Sequence, residues 1–199
     1  MSVAARPELR LEKHVESDLA LVDYPGAGPA VVKTYKPGQP CVAWLNQHLA
    51  RYYDARAGMP VAQHEYAALE LLHPHGIAPR PLRREAGAIV MAYAGTPITF
   101  GLALGEREFR AQAEFILATL ARLSFRHNDL IPRNVLVDEG RLRIIDFTLS
   151  EFGPVRDVMA RLPDPRWAYP ERESDLPGYG RLYGARPGWL KRWAGRMVR

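Results

Sequence analysis

Short apolar stretches open the chain: Leu9 and Leu11, then residues 19–22, then residues 30–32. Runs of this length between turn residues read as strands, and Gly26-Ala27-Gly28-Pro29 between the last two reads as a hairpin loop. Pro37-Gly38-Gln39-Pro40 breaks the pattern. A basic helix carrying Trp44, Tyr52 and Tyr53 is expected over 44–56, ended by Gly58-Met59-Pro60, and a second over 61–73 with Ala67, Leu71 and Leu72 on its apolar side. Residues 77–81 read as a rigid connection, 88–92 as a short buried strand, and Gly95-Thr96-Pro97 as a turn away from it. The clearest helix spans 106–123, where Phe109, Ala113, Ile116, Leu117 and Leu120 recur at helical spacing. Residues 135–137 and 142–145 flank the turn Asp138-Glu139-Gly140, a hairpin directly behind the polar loop 126–134. The rest is rich in Pro, Gly and Arg, with helical potential over 155–161 and 189–198. The pattern is α+β: a strand-rich first part, a mixed second part, and a joint near residues 92–97.

Composition sharpens this picture in two ways. Hydrophobic residues make up 47% of the 199, enough for a sizeable core, and 27 Lys and Arg against 22 Asp and Glu leave a formal charge of +5, which suits anionic partners. Cys41 is the only cysteine, so no intramolecular disulfide can form and a reducing compartment is expected. The N-terminus has no apolar signal core, and no apolar run approaches the roughly 18 residues of a membrane helix. A soluble, cytoplasmic protein is the expectation.

The chemistry concentrates in His127-Asn128-Asp129-Leu130-Ile131-Pro132-Arg133-Asn134, followed after the hairpin by Asp146-Phe147. This segment resembles the phosphoryl-transfer loop of the protein-kinase superfamily, which implies a triphosphate; a triphosphate carries several negative charges, and its transfer spreads charge over equatorial oxygens. Divalent cations must neutralise it, so oxygen ligands must converge from one side. Asn134 and Asp146 would supply them, one from the loop and one from the end of the hairpin. Asp129 would orient an acceptor hydroxyl and accept its proton.

This segment resembles the catalytic loop and metal motif of the protein-kinase superfamily, H-x-D-L-x-x-x-N and D-F-G. Asp129 and Asn134 have its spacing, and Asp146 stands where that family places its metal aspartate. The resemblance implies ATP and Mg2+ as cofactors and a bilobal kinase-like fold: an N-lobe over 1–92 and a truncated helical C-lobe over 93–199. Ala30-Val31-Val32-Lys33 resembles the strand lysine motif, which makes Lys33 the phosphate-binding residue. Its partner would be a glutamate on the next helix. Glu65 and Glu70 point about 140° apart, so only one can face Lys33, and Glu65 is the choice. Residues 88–95 resemble the strand linking the lobes, so backbone from Met91, Ala92 and Ala94 would meet the adenine edge.

Four departures stand out. The turn expected over the phosphates falls near Val15-Glu16-Ser17-Asp18 and has no glycine; Ser17 could offer donors instead. Thr148 replaces the glycine after Asp146-Phe147, and Asn128 replaces the arginine that reads a phosphorylated loop. Ala168-Tyr169-Pro170-Glu171 is similar to A-P-E, but little chain follows it, which argues against a regulated peptide kinase.

Residues 30–82 also look like the bacterial lipopolysaccharide core kinases, the Kdo and heptose kinases. They share the lysine strand, a basic aromatic insert, His64-Glu65-Tyr66, and the step Gly76-Ile77-Ala78-Pro79-Arg80-Pro81-Leu82. This implies a hydroxyl on a membrane glycolipid as acceptor, phosphorylated at the cytoplasmic face of the inner membrane. Residues 176–199 lack Asp and Glu and carry Trp189, Trp193 and six Lys or Arg, a composition suited to peripheral contact with an anionic membrane or to docking on the second lobe. No RNA-binding motif accompanies the aromatic insert, which argues against nucleic acid. A protein Ser/Thr kinase, a small-molecule phosphotransferase and a pseudokinase scaffold are the alternatives.

Overall fold

The first described element is a strand that pairs with the lysine strand; the computed structural model describes residues 16–100, 104–156 and 158. Strands β1 (Ser17–Tyr24) and β2 (Gly28–Tyr35) form an antiparallel hairpin. Gly26 and Gly28 at its turn both take the left-handed region, at φ 74° and 73°. Ser17 and Asp18 therefore do not form the expected turn. They open β1, and Ser17 lies buried opposite Tyr35. Leu9, Leu11 and Val15 lie outside the described residues.

Helix α1 runs Pro40–Leu49 and helix α2 Pro60–Leu72, each beginning with a proline whose missing amide costs nothing at that position. The helix expected over 44–56 is displaced at both ends. It starts at Pro40, and the amides of Tyr52 and Tyr53 both turn back to the Leu49 carbonyl. Asp54 then caps a separate 3-10 turn, accepting from the Arg56 amide at 2.9 Å. Trp44, Tyr52 and Tyr53 pack onto the core.

The segment after α2, expected to be a plain connection, contains strand β3 (Pro81–Arg84). It takes the edge of the sheet beyond β4 (Ala88–Ala92), where Pro81 needs no donor. The sheet order is β1-β2-β4-β3. Every residue of β4 from Ala88 to Met91 is buried. Lys33 sits opposite Ile89, so the two share a face.

Beyond Ala92 the chain enters a second antiparallel sheet of β5 (Thr96–Pro97), β6 (Val135–Asp138) and β7 (Arg141–Ile144), ordered β5-β6-β7. Thr96 and Pro97, read as a turn, thus pair with β6. Gly95 makes the approach possible: at φ 98° a Cβ there would lie 2.1 Å from the Val137 carbonyl oxygen. Helix α3 (Glu106–Arg122) clasps the β6–β7 hairpin through Gln112. Its amide donates to the Gly140 carbonyl at 2.7 Å and its carbonyl accepts from the Leu142 amide at 2.8 Å. Val155, where a helix is expected to start, instead closes a turn onto the Phe152 carbonyl. The potential helix over 189–198 and Ala168-Tyr169-Pro170-Glu171 lie outside the described residues.

Candidate active site

Period-two alternation puts Lys33 and Tyr35 on the same face of β2, pointing at α2. Of the two candidate glutamates, Glu65 faces them, 1% exposed, while Glu70 is exposed. The Lys33 ammonium reaches Glu65 Oε2 at 2.8 Å and Oε1 at 3.1 Å, Asp146 Oδ1 at 2.8 Å and Thr148 Oγ1 at 3.1 Å. The Tyr35 hydroxyl donates to Glu65 Oε2 from the side of β2. Burial by itself would lower the Lys33 ammonium, but the carboxylates of Asp146 and Glu65 outweigh it and hold it well above its ordinary value. Burial and the nearby Glu65 charge push the Tyr35 hydroxyl well up, so it stays a neutral donor.

The loop that carries Asp129 is fixed by its neighbours. The Asp129 amide donates to His127 Nδ1 at 3.3 Å, which leaves the proton on Nε2 to meet the Ile145 carbonyl at 3.0 Å. Burial lowers the His127 imidazole to about 4, so it holds this neutral form. Asn128 adopts φ 63°, a conformation asparagine tolerates, and donates to the Leu149 carbonyl at 2.9 Å. This short side chain ties the loop 127–134 to the segment after Asp146. The Asn134 amide nitrogen donates to Asp129 twice, to Oδ2 at 2.6 Å and to the backbone carbonyl at 2.9 Å. Its carbonyl oxygen is the atom left for a cation.

Asp146 follows β7 in the left-handed region at φ 66°, and its side chain is 23% exposed. That conformation stores strain of order 1–3 kcal/mol, common where a side chain is aimed for function. A run of rings supports it from below. His64 of α2 stacks on Phe152 at 4.9 Å, Phe152 on Phe125 at 5.0 Å, Phe125 meets Phe147 edge-on at 5.8 Å, and Phe147 packs on His127 at 5.1 Å. Helix α2, the segment after β7 and the loop 127–134 thus share one aromatic base.

The donor set fits a nucleotide with magnesium: carboxylate and carboxamide oxygens at Asp146 and Asn134 for a hard cation, an ammonium at Lys33 for phosphate. The hinge is more restricted than the sequence suggests. The amides of Ala92 and Tyr93 are taken by the carbonyls of Arg80 (2.8 Å) and Pro29 (2.9 Å), so neither donates to an adenine edge. Met91 is held inside β4, opposite Val31 and Pro81, and Ala94 carries the remaining amide of the stretch 92–94.

Four residues beyond the expected set join the site. Tyr35 was legible from its spacing to Lys33. His64 locks α2 to the loop after Asp146, its Nε2–H donating to the Ser150 carbonyl at 2.8 Å and its Nδ1 accepting from the Tyr53 hydroxyl at 3.0 Å. Thr148 donates its hydroxyl toward Glu65 or Asp146. Glu16, half-buried, has its carboxyl raised by burial and by the charge of Asp146, and it accepts from the Cys41 thiol.

The model of a phosphotransferase enzyme family (APH) matches residues 90–193, just over half of the chain. No curated protein matches. Among solved structures, the Rio2 kinase of Chaetomium thermophilum is similar at TM-score 0.57 and 15% identity over 93% of this chain and 62% of that one. Its ADP/Mg2+-phosphoaspartate complex is similar at TM-score 0.55 and 15% identity over 93% and 60%. This chain therefore spans about 60% of the length of those kinases. These likenesses show a protein-kinase-like α+β fold, and the family match makes the chain a member of the phosphotransferase enzyme family.

Proposed function

We propose that the protein transfers the γ-phosphoryl group of ATP to a hydroxyl of a lipopolysaccharide core sugar. The observation that carries the phosphotransfer is the convergence of Glu65 and Asp146 on the Lys33 ammonium, with Asp129 and Asn134 hydrogen-bonded to each other in the loop before the β6–β7 hairpin that ends at Asp146. Bound Mg2+ supplies charge neutralisation at the phosphates. Lys33, kept in place by Glu65, binds phosphate oxygens. Asp146 and Asn134 hold the cation. Asp129, fixed in rotation by Asn134, orients the acceptor hydroxyl and takes its proton as the new oxygen–phosphorus bond forms. Met91, Ala92 and Ala94 border the adenine, with donors restricted as described above.

The acceptor class rests on the resemblance of residues 30–82 to the Kdo and heptose kinases and on the basic, tryptophan-bearing residues 176–199. Both support a glycolipid reached from the cytoplasmic face of the inner membrane. A second reading, a pseudokinase, is favoured by one observation: the Glu16 carboxyl is near enough to Asp146 and Lys33 to feel their charges, and in its charged form it would oppose incoming phosphate.

Mg2+-dependent ATP turnover by wild type and Asp129→Ala, with and without a bacterial glycolipid extract, tests the proposal. Turnover that requires Asp129 and rises with the extract supports it, and the product mass identifies the acceptor. ATP binding without turnover on any acceptor would replace it with the pseudokinase reading.

A further inference from the structure

Thr148 stands where a glycine follows Asp146-Phe147 in the motif this segment resembles, and its side chain is 1% exposed. Its Oγ1 lies 2.9 Å from Glu65 Oε2, 2.9 Å from Asp146 Oδ1 and 3.1 Å from Lys33 Nζ. A hydroxyl has one proton to give and lone pairs to accept with. An ammonium can only donate, so Oγ1 accepts from Lys33 and donates its single hydrogen bond to one carboxylate at a time. The three N–H groups of Lys33 then match three acceptors: Glu65, Asp146 and Thr148.

With its three N–H groups already matched, Lys33 must release one contact before it can donate to a phosphate. Asp146 is the partner to release. It is the more exposed carboxylate, at 23% against 1% for Glu65, and its oxygens are the ones a cation requires. Glu65 is held additionally by Tyr35 and, at 3.4 Å, by the Phe147 amide.

We propose that Thr148 is a positioning residue: its hydroxyl keeps the Lys33–Glu65 pair aimed at the nucleotide phosphates when Asp146 leaves the ammonium for the metal. Its O–H turns to donate to Glu65 as Asp146 turns away, while Lys33 continues to donate to its oxygen. A valine of the same shape would leave the ammonium only the two Glu65 oxygens and Asp146, and would remove the donor that the two carboxylates share. The role in nucleotide binding rests on the phosphotransfer reading above.

The test uses the full chain as wild type, Thr148→Val, Thr148→Ala and Thr148→Ser, each checked for folding by circular dichroism. One readout is ATP affinity with and without Mg2+. Loss of one charge-assisted hydrogen bond predicts about tenfold weaker Mg2+-dependent binding for the Val and Ala variants, and Ser restores it to within about twofold. The other readout is proton exchange of the Lys33 ammonium, followed by nitrogen-15 NMR without nucleotide. Exchange is expected to be faster in Val and Ala and restored in Ser. Wild-type affinity in the hydroxyl-free variants, or a Ser variant as weak as Val, overturns the proposal. If wild type binds no ATP, the phosphotransfer reading fails, and Lys33 exchange alone decides: unchanged exchange in the Val variant overturns the positioning role, and faster exchange reversed by Ser supports it.

Discussion

His64 should make the protein acid-sensitive in a way that can be calculated. It is fully buried on α2 beside Glu65, donates to the Ser150 carbonyl and accepts from Tyr53, whose hydroxyl burial pushes up to about 12. Burial lowers the imidazole to about 4 from an ordinary 6.5. The folded-state value is the depressed one, so the unfolded chain binds the proton first. The stabilisation is therefore complete above about 6.5 and is lost progressively as pH falls toward 4. The full span is worth about 3 kcal/mol, and roughly 2 kcal/mol of it disappears between about pH 7.5 and pH 5. Urea unfolding at these pH values, wild type beside His64→Gln, isolates the effect. Glutamine can reproduce a donor and an acceptor but does not titrate. Wild type should lose about 2 kcal/mol more than the variant over this range. Parallel losses would refute the reasoning. They would mean that the imidazole charges without opening the contact between the glutamate helix and the segment after Asp146.

Two further outcomes test the joint and the metal assignment. Gly95→Ala should destabilise the fold by about 3 kcal/mol or more, since a Cβ would meet the Val137 carbonyl at 2.1 Å in a backbone conformation hostile to alanine; a thermal midpoint within a degree or two of wild type would contradict it. Asp146→Ala should abolish the Mg2+ dependence of ATP binding by calorimetry, with Lys33 still held by Glu65. An undiminished response to Mg2+ would remove Asp146 from the cation site.

How much of this was legible beforehand follows from where each contact lies along the chain. Asp129, Asn134 and Asp146 occupy one loop and the hairpin behind it, so their spacing alone placed them near one another. The Lys33–Tyr35 pair was also readable, because strand periodicity puts alternate residues on one face. Strand β3 was not. Pro79 and Pro81 at its start read as a connection, and only the edge of β4 made a strand of it. The helix expected over 44–56 failed for a related reason: its aromatics fit a helical face, but Asp54 gained more as a cap than as a helix interior residue.

By itself the sequence determined the α+β class, the order of the motifs and the local geometry of the catalytic loop, because these depend on periodicity and short spacings. The choice of Glu65 as the partner of Lys33 was already made from the sequence; the tertiary structure alone decided that Asp146 reaches the same ammonium from 113 residues away and that the Thr148 hydroxyl lies between them. Those contacts depend on which face of α2 turns to the sheet and on the left-handed turn at Asp146. Both are set by packing the aromatic base and the two sheets together, and no local spacing encodes that packing.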